Sequence, residues 1–281
     1  MLGTRPMKNV DRATVDGFGD EWSRMPQDGV SEDEIEKLFG LYFSVFPWDK
    51  LPENARGCDF GCGSGRWARK VAPKVSHLTV LDASQDALEV AKKNLSSCAN
   101  VEAVHASVSD SPFPDASLDF AYSLGVLHHV PDTEDAIREI SRVLKPGAPF
   151  LVYLYYAFDN RAAWFRSLWR VSDVARRGIS RLPHGPRFAV SQVIAGLVYW
   201  PLARTGKVME KLGALPDSWP LKFYANQSFY TMRTDALDRF GTQLEKRYTK
   251  KQCIDMLERN GFRDVRVSDQ MPYWTLCGIR K

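Results

Sequence analysis

From about Arg56 onward, short apolar runs alternate with stretches whose apolar residues recur every three or four positions, the rhythm of a parallel sheet covered by helices. The runs predict strands over 57–60, 78–82, 101–105, 118–124 and 150–154, and the periodic stretches predict helices over 66–72, 85–95 and 132–144. In the last of these, Ala136, Ile137, Ile140, Val143 and Leu144 form a core-facing stripe, Asp132 is placed to cap it, and Lys145-Pro146-Gly147 stops it. The same grammar resumes near the C-terminus. Thr249 and Gln252 have capping-box spacing, Ile254, Met256 and Leu257 suit a helix ending at Asn260-Gly261, and two closing strands fit 265–268 and 274–279.

Between Tyr156 and Arg247 the alternation is lost, and aromatic and basic residues, prolines and an apolar run over 188–200 take its place. This stretch reads as a mostly helical insertion over one end of the sheet. The organisation expected is an aromatic N-terminal cap (1–54), an α/β core (55–155), the insertion (156–247) and a C-terminal return to the core (248–281).

Composition changes this picture little: of 281 residues, 44% are hydrophobic and 26% charged, as in a folded globular chain. Charge changes it more. The formal net charge is +4, yet residues 161–211 hold ten Lys or Arg against Asp173 and Glu210, so that segment is +8 and the remainder −4. Five irregularly spaced cysteines suit reduced thiols, and the N-terminus lacks an apolar signal-peptide core, so a cytoplasmic location is the expectation. No set of His, Cys or acidic residues has metal-ligand spacing.

The candidate chemistry begins at Asp59-Phe60-Gly61-Cys62-Gly63-Ser64-Gly65, set between a predicted strand and a predicted helix. Glycines there permit a tight turn and let a ligand approach backbone that carries no Cβ. A structural strand-to-helix turn is the bland alternative. Asp82 ends the next predicted strand about 20 residues on, where a carboxylate can accept hydrogen bonds from ribose hydroxyls or simply cap a helix. Together they indicate an adenosine-containing cofactor. Arg66-Trp67-Ala68 stands where a dinucleotide fingerprint wants a third glycine, which weakens a nicotinamide or flavin reading.

These residues resemble the first motif, D-x-G-C-G-x-G, of the class I S-adenosylmethionine-dependent methyltransferases that act on small molecules. Three further stretches carry the resemblance: Pro112-Phe113-Pro114-Asp115-Ala116-Ser117-Leu118-Asp119, Gly125-Val126-Leu127-His128-His129-Val130 and Arg142-Val143-Leu144-Lys145-Pro146-Gly147. It covers 57–154 and returns over 248–281. The resemblance implies a Rossmann-like, doubly wound, seven-stranded sheet with a helical insertion, and S-adenosylmethionine as cofactor. By position, Asp59, Gly61, Cys62, Gly63 and Gly65 would surround its methionine part, Asp82 would hold the ribose, and Ala83 and Val108 would lie along the adenine. Ser107 stands where the family often has a carboxylate for the adenine amino group. Ser123 and Leu124, ending the fourth strand, would sit beneath the reactive methyl.

Methyl transfer needs collinear approach and exclusion of water, with a general base where the acceptor arrives protonated. His128 is the first candidate base; a structural role for the paired histidines is the alternative. Trp22 in the cap and Tyr230 and Arg233 in the insertion are the candidate acceptor contacts. The acceptor expected is a small organic molecule, acidic or amphipathic. The insertion, with Trp164, Phe165, Leu168, Trp169, Val171, Val174, Ile179 and Leu182 interleaved with arginines, predicts an amphipathic helix with one apolar and one cationic face. It would serve as a substrate lid, an oligomer contact, or a peripheral membrane contact through 161–211 in an enzyme acting on a lipid-like acceptor. A non-catalytic cofactor-binding scaffold is the rival of a different class. Nucleic acid is disfavoured as a partner, since no recognition module and no Asn/Asp-Pro-Pro-aromatic tetrad is present.

Overall fold

The computed structural model describes residues 7–281. Seven strands, β1 (Arg56–Phe60), β2 (His77–Asp82), β3 (Val101–His105), β4 (Phe120–Leu124), β5 (Pro149–Tyr153), β6 (Phe262–Val267) and β7 (Thr275–Arg280), form one sheet in the order β3-β2-β1-β4-β5-β7-β6. The first five are parallel and β7 runs antiparallel to both neighbours. Chain order reverses between β1 and β4, opening a crevice at their carboxyl ends, the usual ligand position in such sheets.

The central strands are buried on both faces: every residue of β4, Ser123 included, is buried. One face packs against α5 (Thr133–Val143) and α10 (Lys250–Arg259) through Ile137, Ile140, Met256 and Leu257. The other packs against α2 (Glu32–Tyr42), α3 (Ala68–Val71) and α4 (Gln85–Asn94), where Phe39, Phe43, Leu88 and Ala91 meet Phe120 and Tyr122. Asp132 accepts from the Asp135 amide, and Thr249 and Gln252 complete a capping box.

Two boundaries differ from expectation. The helix after the glycine turn is a single α turn followed by a 3-10 turn at Ala72–Lys74, because Pro73 supplies no amide to continue the ladder. β6 starts directly after Gly261, three residues early, because an irregularity between Arg263 and Arg266, with Asp264 at φ +52°, hides the alternation.

The stretch after β5 is helical: α6 (Ala163–Ile179), α7 (His184–Ile194), a π turn (Ala195–Tyr199), α8 (Trp200–Lys211) and α9 (Phe229–Gly241). α7, the π turn and α8 run on as one helix, packed on α9 through Ala195, Tyr199, Ala203, Met232 and Ala236. The α6 apolar set does not share one face. Phe165 and Trp169 turn inward onto Phe158, whereas Trp164, Leu168, Val171 and Val174 are exposed, since positions three and four apart from each set trace two separate stripes. At the other end of the chain, α1 (Arg12–Arg24) lies against α4 and α9.

Candidate active site

The glycine turn is built for close approach. Gly61 and Gly63 hold φ of +82° and +53°, and a Cβ on Gly63 would stand 2.8 Å from Nε1 of Trp22 in α1. Asp82 braces the turn from the adjacent strand end: the Gly63 amide donates to its Oδ2 and the Ser84 amide to its Oδ1, both at 2.9 Å. Each carboxylate oxygen keeps a further acceptor site for a ligand hydroxyl. Burial holds the Asp82 carboxyl above its usual pKa.

A cavity of about 110 Å³ runs along this turn. Of the residues singled out in the sequence, Gly61, Cys62, Gly63, Asp82, Ala83, Ser107, Val108, Leu124 and Trp22 line it. Ser107 is already engaged, donating to the Lys8 carbonyl at 2.6 Å and accepting from the Ser109 amide. Gly65 turns toward Leu95 in the core. Asp59 is buried beneath the turn, with Oδ2 free of any hydrogen bond and burial driving its pKa well up. Ser123 donates to the Phe60 carbonyl at 2.8 Å, tying β4 to β1 rather than facing the cavity.

The histidine pair is resolved against the sequence expectation. The two rings pack against each other within the 3-10 turn Leu127–His129, centroids 4.1 Å apart, yet only His129 reaches the cavity wall. His128 is wholly buried, stacked on Tyr155 at 3.8 Å, with neither ring nitrogen hydrogen-bonded, and burial drives its pKa well down. It cannot reach a ligand. His129 lines the cavity instead. Its Nδ1 lies 2.7 Å from the Leu244 carbonyl, which can only accept, so Nδ1 carries the proton and the Nε2 lone pair is left free of any hydrogen bond. Asp238 Oδ1 lies 3.9 Å from Nε2, placed to stabilise the ring once protonated.

Tyr230 and Arg233 also lie away from the cavity. The Tyr230 hydroxyl accepts from the Gln27 amide at 3.0 Å, and Arg233 donates to Gln192 in α7. Tyr230 thus ties α9 to the loop after α1, and Arg233 ties α9 to α7.

The aromatic segment 18–22, which the sequence suggests as a cover, supplies Phe18 and Trp22 to the wall; sequence reasoning missed the stretch before it, where Asn9, Asp11, Thr14 and Val15 also line the cavity. Asp11 caps α1 by accepting from the Thr14 amide, a Ser/Thr/Asp/Asn-type signal that was legible. Asn9 latches this segment: its amide donates to Ser109 Oγ at 2.7 Å and to the Asp132 carbonyl at 2.6 Å, and its oxygen accepts from the Asp132 amide at 2.6 Å. Phe18 packs edge-on against His129. Also missed was a buried polar group nearby. Glu21 is driven well above the usual carboxylate range by burial and by Asp238 and Asp235, and its Oε1 lacks a partner. Asp235, accepting from the Tyr224 hydroxyl at 2.8 Å, is pushed to about 6 by burial against the opposing pull of Arg66. The Tyr155 hydroxyl donates to Asp238.

Residues 58–152 match a family model described as a methyltransferase domain. A sterol 4-C-methyltransferase of Caenorhabditis elegans is 29% identical over 139 residues, 48% of this chain and 42% of that protein. A demethylmenaquinone methyltransferase of Staphylococcus aureus is 36% identical over 98 residues, 34% of this chain and 41% of that protein. The chain thus spans less than half the length of either relative. Among solved structures, a SAM-dependent methyltransferase of Methanosarcina mazei superposes with a TM-score of 0.50 at 18% identity, covering 84% of this chain and 98% of that one, a likeness of fold.

Proposed function

We propose that this chain, which by its 58–152 domain belongs to the class I S-adenosylmethionine-dependent methyltransferases, methylates a small amphipathic or lipid-like acceptor that must lose a proton as it reacts. The observation that carries this reading is the continuity of one cavity from Asp82 and Ala83, past the backbone of Gly61 to Gly63, to the ring of His129. The residues fit the cofactor: a carboxylate with acceptor sites to spare, a turn from which a Cβ is excluded, and walls from Val108, Leu124 and Trp22. S-Adenosylmethionine supplies a methyl group on a sulfonium that is already an activated leaving group.

The work left to the protein is orientation, desolvation and proton removal. Asp82 would hold the ribose hydroxyls, the Gly61 to Gly63 backbone would meet the amino-acid end, and Ala83, Ser107 and Val108 would bound the base. Phe18 and Trp22 exclude water, which would hydrate the acceptor and weaken every polar contact in the site. His129, with Asp238 Oδ1 3.9 Å from its Nε2, would take the acceptor's proton once a turn of the ring or of Phe18 opens that nitrogen to the cavity. Support for an apolar acceptor comes from the two relatives, named for a sterol and a demethylmenaquinone.

Isothermal titration with S-adenosylmethionine and S-adenosylhomocysteine, with NADH as contrast, tests the cofactor; a radiolabelled-methyl screen of sterol-like, quinol-like and phenolic acceptors follows. Binding of the sulfonium pair alone is expected. Absence of binding, with no cofactor found by mass spectrometry in the purified protein, would overturn the catalytic reading in favour of a scaffold.

A further inference from the structure

The large apolar side chains left exposed among the described residues all fall between Trp164 and Phe229, in the segment inserted after β5. Soluble surfaces seldom concentrate such residues in one region without a partner for them. On α6, the residues divide into three sectors. Phe165, Trp169, Asp173 and Arg176 face inward, the last two as a buried ion pair at 2.7 Å. Trp164, Leu168 and Val171 form an outward apolar stripe, and Arg166, Arg170 and Arg177 an outward cationic one, about 140° away at 3.6 residues per turn. The continuous helix through α7 and α8 repeats the theme. Ser191, Ala195, Tyr199 and Ala203 are buried, while Val193, Leu197, Trp200 and Val208 on its free side are exposed. Lys207 and Lys211 lie within the second half of that helix.

Arg166, Arg170, Arg181, Lys207 and Lys211 form no ion pair with any described residue, although the fold supplies acids freely elsewhere. A second copy of this +8 segment would meet it with charge of the same sign. An anionic bilayer offers both complements at once: headgroups for the arginines and lysines, and acyl chains for the Trp, Leu and Val between them.

We infer that the outward faces of α6 and of the continuous α7–α8 helix form a monotopic docking surface for anionic lipid membranes. No helix among the described residues is long and apolar enough to cross a membrane, so the contact lies in the interface plane. The inference is independent of the methyl-transfer reading, because lipid binding is measured without cofactor.

The test is co-sedimentation of the full chain with vesicles of phosphatidylcholine alone and of phosphatidylcholine with phosphatidylglycerol at equal parts. Binding to the anionic vesicles is expected, falling as salt rises. Arg166→Gln/Arg170→Gln lowers the partition coefficient about 30-fold, roughly fivefold for each cation near the surface. Trp164→Ser/Leu168→Ser/Val171→Ser removes quenching of tryptophan fluorescence by acyl-brominated lipid while leaving the thermal midpoint unchanged, since these side chains are exposed. No binding to anionic vesicles at low salt overturns the inference, as does binding that both variants leave intact. A concentration-dependent dimer in analytical ultracentrifugation, dissolved by the apolar triple variant, would assign the surface to a second copy instead.

Discussion

Replacing Asp235 by Asn should stabilise the protein above about pH 6 and change it little near pH 4. Asp235 sits on α9 beside Glu21 and Asp238, and burial pushes its carboxyl from 3.8 to about 6. Between those values the folded chain holds a proton that the unfolded chain has released, so this group's contribution to stability falls as pH rises through the window. The difference of roughly 2 pH units corresponds to about 3 kcal/mol, at 1.36 kcal/mol per unit. That is an upper figure, because Asp235 retains some contact with water. Asn keeps an oxygen to accept from the Tyr224 hydroxyl and carries no charge to desolvate. For a chain of this length 1 kcal/mol moves the thermal midpoint by about 2 °C, so the variant should melt up to about 6 °C higher at pH 8. Differential scanning calorimetry of both proteins from pH 4 to pH 8 reads the difference directly; distant titrating groups cancel in it, while Glu21, which the Asp235 charge helps to raise, adds in the same direction. A variant less stable than wild type at pH 8, or a pH-independent gap, would refute the burial argument.

His129→Gln should lower kcat by about 10²- to 10⁴-fold while leaving cofactor affinity within twofold, whereas His128→Phe, which keeps the stack on Tyr155 and removes two unpaired nitrogens, should retain turnover; the reverse pattern in steady-state assays would reassign the base. Gly63→Ala, forced into a left-handed backbone with its Cβ 2.8 Å from Trp22, should weaken S-adenosylmethionine binding at least tenfold by calorimetry, with partial recovery in the Trp22→Ala background. Asn9→Ala removes three hydrogen bonds from the N-terminal latch, and at about 1 kcal/mol for each, S-adenosylhomocysteine should dissociate up to about 150-fold faster in stopped flow; an unchanged rate would show that α1 does not gate exchange.

The glycine turn, Asp82 and the seven strands were legible because each rests on short-range grammar: positive φ at fixed spacing, a strand end, an apolar run. Features that depend on the direction of a side chain were not. Whether His128 or His129 faces the cavity turns on a single 3-10 turn, and two adjacent histidines look alike in sequence. Tyr230 and Arg233 have the chemistry of ligand contacts, yet spend it joining α9 to Gln27 and Gln192. The apolar residues of α6 looked like one face because inward and outward stripes interleave every few positions, and only the place where α9 packs separates them. Glu21 gave no signal at all: an acid within Gly19-Asp20-Glu21-Trp22 reads as solvated until α9 closes over it.

The double role of Asp82 bears on how sequences of this kind should be read. Its carboxylate accepts from the Gly63 and Ser84 amides, so it shapes the turn as well as offering sites to a ligand. Removing it would orphan two backbone amides as well as a cofactor contact. A descendant that had abandoned catalysis would therefore still be under pressure to keep both the glycines and this aspartate. In a chain with this architecture the motif testifies to an intact turn, and a titratable ring set in the cavity wall, such as His129, is the better witness to chemistry.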